Sequence, residues 1–319
     1  MDKSLIHKTI AEIKQSVIIH PQFQQAYELI VNAYEMNCSV GVPQHLICVG
    51  ESGTGKSTLK EQIAKSFPAV ELEDQLIVPV LVIDTPPLPT VKNLAETVLV
   101  KLGDPLFHKG SAIDKTHRIH NFFSRLGVKL VIFDELQHFI DQGKVTSPLQ
   151  VSDWLKALID NTKISTVLMG LNRSEQLLQV NEQLRRRYSQ KIDLKPFVLP
   201  DDQHNFVGVL VKLQEKLNML EPIDLNDSDL IKRIYFATNG IIDYMVKLLL
   251  GAFEIAINKN LLGITKDCLE QAFIERIWVQ GQDELNPFNY KFKWQKLDKR
   301  DMPFHKQAIL KTREGIWEK

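Results

Sequence analysis

A glycine-rich turn sets the strongest limit on what this chain can fold into. Residues 50–58 read GESGTGKST and follow the apolar run HLICV. They satisfy the pattern G-x-x-x-x-G-K-[ST], in which glycines let successive backbone N–H groups point at one centre. The N-terminus of a following helix adds positive potential for an anion. The pattern therefore predicts a phosphate-binding loop between a buried strand and a helix over residues 57–66.

The residues of this loop have expected roles in holding a nucleotide. Lys56 is expected to reach the β and γ phosphates, and the Ser57 hydroxyl is expected to take one place on Mg²⁺. The alternative is a glycine-rich turn that only connects a strand to a helix. The residues predicted to bind ATP in this loop are Gly50, Glu51, Ser52, Gly53, Thr54, Gly55, Lys56, Ser57 and Thr58.

Short apolar runs alternate with helical patterns through the first part of the chain. This alternation, with strands that are apolar on both faces, predicts an α/β fold with a five-stranded parallel sheet covered by helices. From Asp201 onward the pattern is only helical and predicts a small all-helical domain. The predicted strands are His45–Val49, Ile77–Asp84, Lys129–Asp134, Ser165–Gly170 and Lys191–Leu194.

These patterns divide the chain into four segments. Residues 1–40 are predicted to be an N-terminal helical segment leading into the core, 41–199 the nucleotide-binding domain, 200–282 the helical domain and 283–319 a tail. The tail is basic and rich in aromatic residues, the last of which is Trp317. Three interpretations of the tail are open: an arm packed on the helical domain, a DNA-binding segment, or a docking strip for a partner.

Charge and cysteine content exclude several classes of protein. The 39 acidic residues balance the 39 basic ones, so any nucleic acid or membrane must meet a local patch. The three cysteines are far apart and in no CxxC pattern, which argues against a disulfide framework or a zinc site. Neither a signal peptide nor a long apolar run is present, so we expect a soluble cytoplasmic protein.

The run LVIFDE at Leu130–Glu135 is an apolar strand that ends in two carboxylates. This arrangement, known as Walker B, predicts that Asp134 holds Mg²⁺ and that Glu135 polarises the attacking water. A kinase that transfers phosphate to a substrate would not need the second carboxylate, whereas an ATPase does. A solvated strand end is the alternative.

Two features farther along the chain have candidate roles in hydrolysis. Asn172 follows the fourth predicted strand and is a candidate sensor that orients the water; capping the next helix is its alternative role. Arg185, Arg186 and Arg187 precede the fifth strand. Each is a candidate arginine finger for a neighbouring subunit's nucleotide, a role worth about 10³–10⁵ in rate. The alternative is a solvated or DNA-facing basic turn.

Together these motifs resemble those of the AAA+ ATPases. More narrowly, the chain is similar to the TniB/TnsC family of transposition regulators over about residues 17–279. The similarity rests on VIIHPQF at Val17–Phe23, TPPLPTVKNLAETVLVKLGDP at Thr85–Pro105, LVIFDELQHFID at Leu130–Asp141 and RRRYSQKIDLKPF at Arg185–Phe197.

The resemblance implies a bacterial regulator that binds ATP and Mg²⁺ and assembles into rings or filaments on double-stranded DNA. It also implies partners, a TniQ-like target selector and a transposase, and the compact size suits a CRISPR-associated transposon. Ile18, Ile19 and His20 would line the adenine pocket. Many AAA+ lids carry an arginine after a TxG turn, but Asp243 stands near that place here. Lys247, one helical turn later, is the candidate substitute; without it, hydrolysis would be slow or partner-dependent.

DNA contact is expected from local cations. In family-like geometry the segment between the second and third strands faces a central channel, where Lys or Arg contacts to phosphates would be independent of sequence. Ordinary surface charge is the alternative. The candidates are Lys92, Lys109, Lys115, Arg118, Arg125 and Lys144.

Two other functions are open. An ATP-driven helicase or transposase loader of the IstB type would share the Walker motifs and DNA binding. A P-loop small-molecule phosphotransferase would instead act as a monomer and need a charged substrate-binding lid, whereas the arginine triplet favours assembly.

Overall fold

The computed structural model describes residues 3–87, 89–141 and 146–306, which form two compact units. The first, here called the sheet unit, comprises the described residues of Gln22–Ser52 and Lys56–Leu194. The second, the helical unit, comprises those of Met1–Pro21, Gly53–Gly55 and Lys195–Ala308. This division cuts the predicted N-terminal segment 1–40 at Pro21.

The sheet unit alternates strands with helices in chain order. Its elements are α2 (Pro21–Val40), β1 (His45–Gly50), α3 (Lys56–Ser66), β2 (Val70–Glu71), β3 (Leu76–Ile77), β4 (Val80–Asp84), α4 (Val91–Lys101), α5 (Ala112–Arg125), β5 (Leu130–Asp134), α6 (His138–Asp141), α7 (Thr146–Thr162), β6 (Ser165–Gly170), a 3₁₀ helix (Asn172–Glu175), α8 (Gln176–Gln179), α9 (Glu182–Arg187) and β7 (Gln190–Leu194).

The predicted five-stranded parallel sheet is confirmed, with the strand order β4-β5-β6-β1-β7. Strands β5 and β6 are buried along their whole length. The expected burial of every strand on both faces is wrong at both edges, where β7 leaves Gln190 and Lys191 exposed and β4 leaves Asp84 exposed. An edge strand has only one neighbour, so water reaches part of it.

The second predicted strand, Ile77–Asp84, is two strands and not one. Leu76–Ile77 pairs antiparallel with Val70–Glu71 in a separate small sheet, whereas Val80–Asp84 belongs to the main sheet. Pro79 lies between them and has no N–H to donate to a ladder. Its carbonyl accepts instead from the backbone N–H groups of Lys129 and Leu130.

The helical unit confirms the predicted all-helical region after Asp201. Its helices are α1 (Lys3–Gln15), α10 (Gln203–Leu217), α11 (Ser228–Thr238), α12 (Ile242–Asn258), α13 (Lys266–Arg276) and a 3₁₀ helix (Asp283–Leu285). Side chains of Asp227 and Thr265 cap α11 and α13 by accepting from backbone N–H groups. In the described part of the chain, no helix is both long and apolar enough to cross a bilayer.

The tail packs into the helical unit, as the first of its three interpretations expects. Arg233 of α11 donates to the carbonyls of Pro287 at 2.6 Å and Asn289 at 3.0 Å, and its guanidinium lies 4.8 Å from the centre of the Trp294 ring. Trp317 lies outside the described residues. The tail side chains buried in the helical core are Phe288, Phe292, Leu297 and Phe304.

Candidate nucleotide-binding site

The glycine-rich turn connects β1 to α3, as the motif predicts. Gly53 and Gly55 have φ angles of 79° and 99°, a region that glycine enters without steric penalty. Lys56 begins α3 and is 8% exposed; its Nζ donates to the carbonyls of Gly50 at 2.8 Å and Glu51 at 2.7 Å. Burial lowers the pKa of Lys56. In this structure the ammonium group of Lys56 therefore donates to backbone carbonyls of the turn, although the sequence pattern of the turn is one that binds phosphate.

Asp134 ends β5 beside Asp84, its registered partner at the end of β4. Asp134 is 1% exposed, and its Oδ2 accepts from Lys60 Nζ at 2.6 Å. The same Nζ donates to Asp84 Oδ1 at 2.7 Å. Burial acts to lower the pKa of Lys60, but the bonds to Asp134 and Asp84 outweigh it and raise that pKa.

Lys60 is absent from the sequence-based prediction, although one signal for it was present. It lies four residues after Lys56 on the same helix, so the two side chains share a face.

The carboxylate of Asp134 and the exposed hydroxyl of Ser57 are oxygen donors of the kind that Mg²⁺ prefers. The chemistry of these donors fits Mg²⁺, and its binding by Ser57 and Asp134 stays a prediction.

Glu135 follows β5 in an unusual backbone conformation, with φ at 59°. Its N–H donates to Asp134 Oδ1 at 2.7 Å, and its Oε2 accepts from Nε2 of the buried Gln137. His138 Nε2 lies 3.9 Å from the same carboxylate, while Nδ1 is 3.0 Å from the carbonyl of Thr85. Glu135 thus has two polar side-chain neighbours, of which the sequence-based prediction lacks Gln137.

The strand that precedes Asn172 lies between β5 and β1, as expected for a sensor position. Asn172 is exposed and is the first residue of the 3₁₀ helix. The N-cap of this helix is Leu171, and no side chain caps it by a hydrogen bond. The alternative that Asn172 caps this helix is therefore wrong. Its sensor role stays a prediction.

The three arginines of α9 have different surroundings. Arg187 pairs with Asp160 at 2.5 Å, and Arg186 pairs with Glu182 of its own helix at 2.6 Å. Arg185 is exposed, and no carboxylate of the described residues lies within ion-pair distance of it. Arg187 thus forms an ion pair within the sheet unit, whereas Arg185 forms no ion pair with the described residues.

Within the helical unit, Ile18, Ile19 and His20 precede α2. His20 is 5% exposed and lies edge-on to Phe197, with ring centres 5.4 Å apart. Burial, with a smaller effect of Lys212, lowers the pKa of His20 to about 4. Ile19 is 47% exposed, and its carbonyl accepts from Lys212. Their role in holding adenine stays a prediction.

Asp243 of α12 packs against the tip of the glycine-rich turn, which belongs to the same unit. Its N–H donates to the carbonyl of Gly53 at 3.1 Å. A Cβ on Gly53 would lie 2.9 Å from both Asp243 Cβ and Ile241 Cγ2, so the turn needs glycine here. Lys247 pairs with Asp243 at 2.7 Å, which leaves its proposed contact with nucleotide a prediction.

One of the predicted DNA-contacting cations, Lys115, is wrong. Lys115 is fully buried, where its Nζ donates to the carbonyls of Phe107 and Lys109 and pairs with Glu96 at 3.2 Å. Arg118 is half-buried and donates to the carbonyls of Leu106 and Lys109. Both cations hold the loop before α5, and DNA contact by Arg118 stays a prediction. Lys144 lies outside the described residues, and the exposed candidates are Lys92, Lys109 and Arg125.

A family model described as bacterial TniB protein matches residues 9–197, which is more than half of the chain. No curated protein matches its sequence.

Solved structures share the fold at low sequence identity. The ORC2 protein of Aeropyrum pernix, in ADPNP–ADP complexes, has a TM-score of 0.57 and 15% identity, covering 79% of this chain and 67% of that one. Cdc6p of Pyrobaculum aerophilum has a TM-score of 0.61 and 12% identity, covering 85% and 70%. The ORC1 protein of Aeropyrum pernix in complex with DNA has 0.55 and 15%, covering 80% and 64%. The fold is that of the AAA+ ATPases.

Proposed function

The chain belongs to the family of bacterial TniB proteins, and we propose that it is an ATP-dependent regulator of transposition that assembles on double-stranded DNA. One observation carries the proposal. A buried lysine of a phosphate-binding turn, Lys56, belongs to the same unit as a strand that ends in Asp134 and Glu135. This pairing supports an ATP-hydrolysing site in the sheet unit.

In the proposed reaction, Lys56 and the backbone N–H groups of the turn bind the phosphates of ATP. Ser57 and Asp134 would hold Mg²⁺, which when bound would neutralise charge on the phosphates. Glu135 accepts a proton from the attacking water, and Asn172 orients that water. Lys247 is the candidate nucleotide contact in place of an arginine, and Ile18, Ile19 and His20 are the candidate adenine-binding residues.

Hydrolysis is proposed to depend on assembly, because the arginine finger would come from a neighbouring subunit. Arg185 and Arg186 are the better candidates for a finger, since both are exposed and Arg187 is paired with Asp160. A slow, assembly-dependent ATPase would use ATP as a switch that controls when the protein is on DNA.

DNA is proposed to bind through backbone phosphates and not through base edges. Lys92, Lys109 and Arg125 supply exposed positive charge in the sheet unit. Their number is small and the net charge of the chain is zero, so many subunits acting together would provide the affinity. The assembled form is proposed to link a TniQ-like target selector to a transposase.

Electron microscopy tests this function directly. The wild-type protein, a non-hydrolysable ATP analogue and duplex DNA are expected to give rings or filaments, and omission of the nucleotide is expected to abolish them. Lys56→Ala is the matched control for nucleotide binding. Monodisperse monomers under all conditions would overturn the proposal, and ATP-dependent turnover by such monomers would favour a phosphotransferase. Co-sedimentation with a TniQ-like protein and a transposase tests the partner assignment.

A further inference from the structure

The amide of Gln137 joins the Walker B glutamate to the end of a different strand. Gln137 is 5% exposed. Its Nε2 donates to Glu135 Oε2, and its Oε1 accepts from the backbone N–H of Leu171 at 3.1 Å. Leu171 is the first residue after β6 and precedes Asn172. One buried side chain therefore connects the carboxylate of Glu135 to the segment that carries the candidate sensor.

Gly170, the last residue of β6, leaves room for the Gln137 amide. A Cβ on Gly170 would lie 2.8 Å from Gln137 Oε1 and 2.2 Å from Ser174 Oγ, so the glycine leaves the space that the amide occupies. The backbone N–H of Leu136 donates to the carbonyl of Met169 at 3.2 Å, which ties the turn after β5 to β6 a second time.

Glu135 itself needs such support. A non-glycine residue at a φ of 59° lies in a sparsely populated region, and such conformations persist only where neighbouring groups hold them. The side chain of Glu135 is also 43% exposed, so packing alone does not fix the direction of its carboxylate. Among the described residues, the Gln137 amide donates a side-chain hydrogen bond to the Glu135 carboxylate, and His138 lies farther from it.

We propose that Gln137 is a positioning residue for Glu135, an inference that rests on the proposed ATPase function. Its Nε2–H holds Oε2 of Glu135, so that Oε1 is left to accept the proton of the attacking water. In that step the water oxygen bonds to the γ-phosphorus, the bond from this phosphorus to the β–γ bridging oxygen breaks, and ADP leaves. Because Gln137 also accepts from Leu171, the direction of the carboxylate follows the position of the residues after β6.

Substitution of Gln137 separates this role from a structural one. Gln137→Met keeps the length of the side chain and removes both hydrogen bonds, and Gln137→Glu keeps an acceptor for Leu171 while removing the donor to Glu135. In both variants we expect kcat of ATP hydrolysis to fall about 10- to 100-fold, because misplacement of a reacting group by about 1 Å has effects of that size. We expect the ATP Kd, measured with a fluorescent analogue, to stay within about twofold.

A double-mutant cycle provides the decisive measurement. If Gln137 acts through Glu135, Gln137→Met in a Glu135→Gln background should lower kcat no further than Glu135→Gln alone. Ser174→Ala is the matched control, since Ser174 is equally buried beside Gly170 and bonds neither Gln137 nor Glu135 among the described residues. Its kcat should equal that of the wild type.

Specific outcomes would overturn the inference. Wild-type kcat in both Gln137 variants, or losses that add in the double mutant, would show that Gln137 does not position Glu135. If Gln137→Met is unstable, Gln137→Glu keeps the bond to Leu171 and still removes the donor, so its kcat decides. An inactive wild-type protein would count against the proposed ATPase function, whereas an active one with unaffected variants would count against Gln137 alone.

Discussion

Lys60 Nζ lies 2.6 Å from Asp134 Oδ2, so a lysine of the helix after the phosphate-binding turn neutralises the Walker B carboxylate. Asp134 is almost fully buried, and a buried carboxylate needs a positive partner or hydrogen-bond donors. The bond from the same ammonium to Asp84 joins the ends of β4 and β5. The acidic end of the sheet is thus held together by a side chain outside the Walker motifs.

Removal of Lys60 should destabilise the protein. Lys60→Met leaves Asp134 buried without its counter-ion, and loss of one partner of a buried pair costs up to about 3–5 kcal/mol. Because the Lys60 side chain is 15% exposed, we expect the lower end of that range, measured as the free energy of unfolding in urea. Lys65→Met, on the exposed surface of the same helix, is the control. An equal effect of both substitutions would contradict the role given to Lys60.

The comparison of Lys56 with Lys60 shows what the sequence can predict. Lys56 belongs to a motif whose spacing defines a local backbone shape, so its place at the start of a helix follows from neighbouring residues. The partners of Lys60 and Gln137 come from strands distant in the chain. Their contacts depend on strand order and register, which local patterns do not define.

Buried cations expose the same limit of local patterns. Lys115 and Arg118 look like surface charges when only their neighbours in sequence are considered. Lys115 is fully buried because the loop before α5 folds back and presents carbonyls to it. Binary hydrophobic patterning assigns a lysine to the surface, because it does not take account of loop carbonyls that can accept hydrogen bonds from a buried ammonium group.

Substitution of Lys115 and Lys109 should separate stability from DNA affinity. Lys115→Met removes a buried ion pair with Glu96 and the donor to the carbonyl of Phe107, so we expect a loss of about 2–4 kcal/mol in unfolding free energy. Lys109→Met should leave that free energy unchanged. It should weaken duplex binding, and reduce the slope of log Kd against log salt by about 1. The reverse pattern in urea unfolding and salt-dependent DNA titrations would refute the assignment.

Acid should destabilise the sheet unit through His45. Burial, with a smaller effect of Arg187, lowers the pKa of His45 from 6.5 to about 4. The unfolded chain binds a proton at about pH 6.5 while the folded protein does not, so stability is unaffected above that pH and declines toward pH 4. The decline attributable to His45 is at most about 1.4 kcal/mol per pH unit.

The measurement for His45 is the free energy of unfolding of wild type and His45→Gln between about pH 7 and about pH 4.5, the range in which the unfolded chain takes up the proton. His45→Gln should have the shallower pH dependence, because glutamine does not titrate. His117→Gln changes an exposed histidine and is the control. Parallel curves for wild type and His45→Gln would show that His45 is not the source.

Glu135→Gln should separate assembly from turnover. Glutamine keeps the size of the side chain but cannot accept a proton from water, and loss of a general base reduces rates by about 10²–10⁴. Rings or filaments should still form with ATP and duplex DNA, because Lys56 and the turn are unchanged. Phosphate release and electron microscopy on the same sample measure both properties. Loss of nucleotide binding in this variant would mean that Glu135 holds the nucleotide itself.

An arginine finger donated across an interface makes a distinct prediction for mixed assemblies. Lys56→Ala subunits cannot bind ATP but keep Arg185, and Arg185→Ala subunits bind ATP but lack the finger. Each alone should hydrolyse ATP slowly, whereas a mixture should regain part of the activity, because the first subunit completes the site of the second. The same mixture with Arg187→Ala tests the paired arginine, whose loss should instead lower stability by freeing Asp160. Absence of complementation by Arg185→Ala and by Arg186→Ala would place the finger elsewhere.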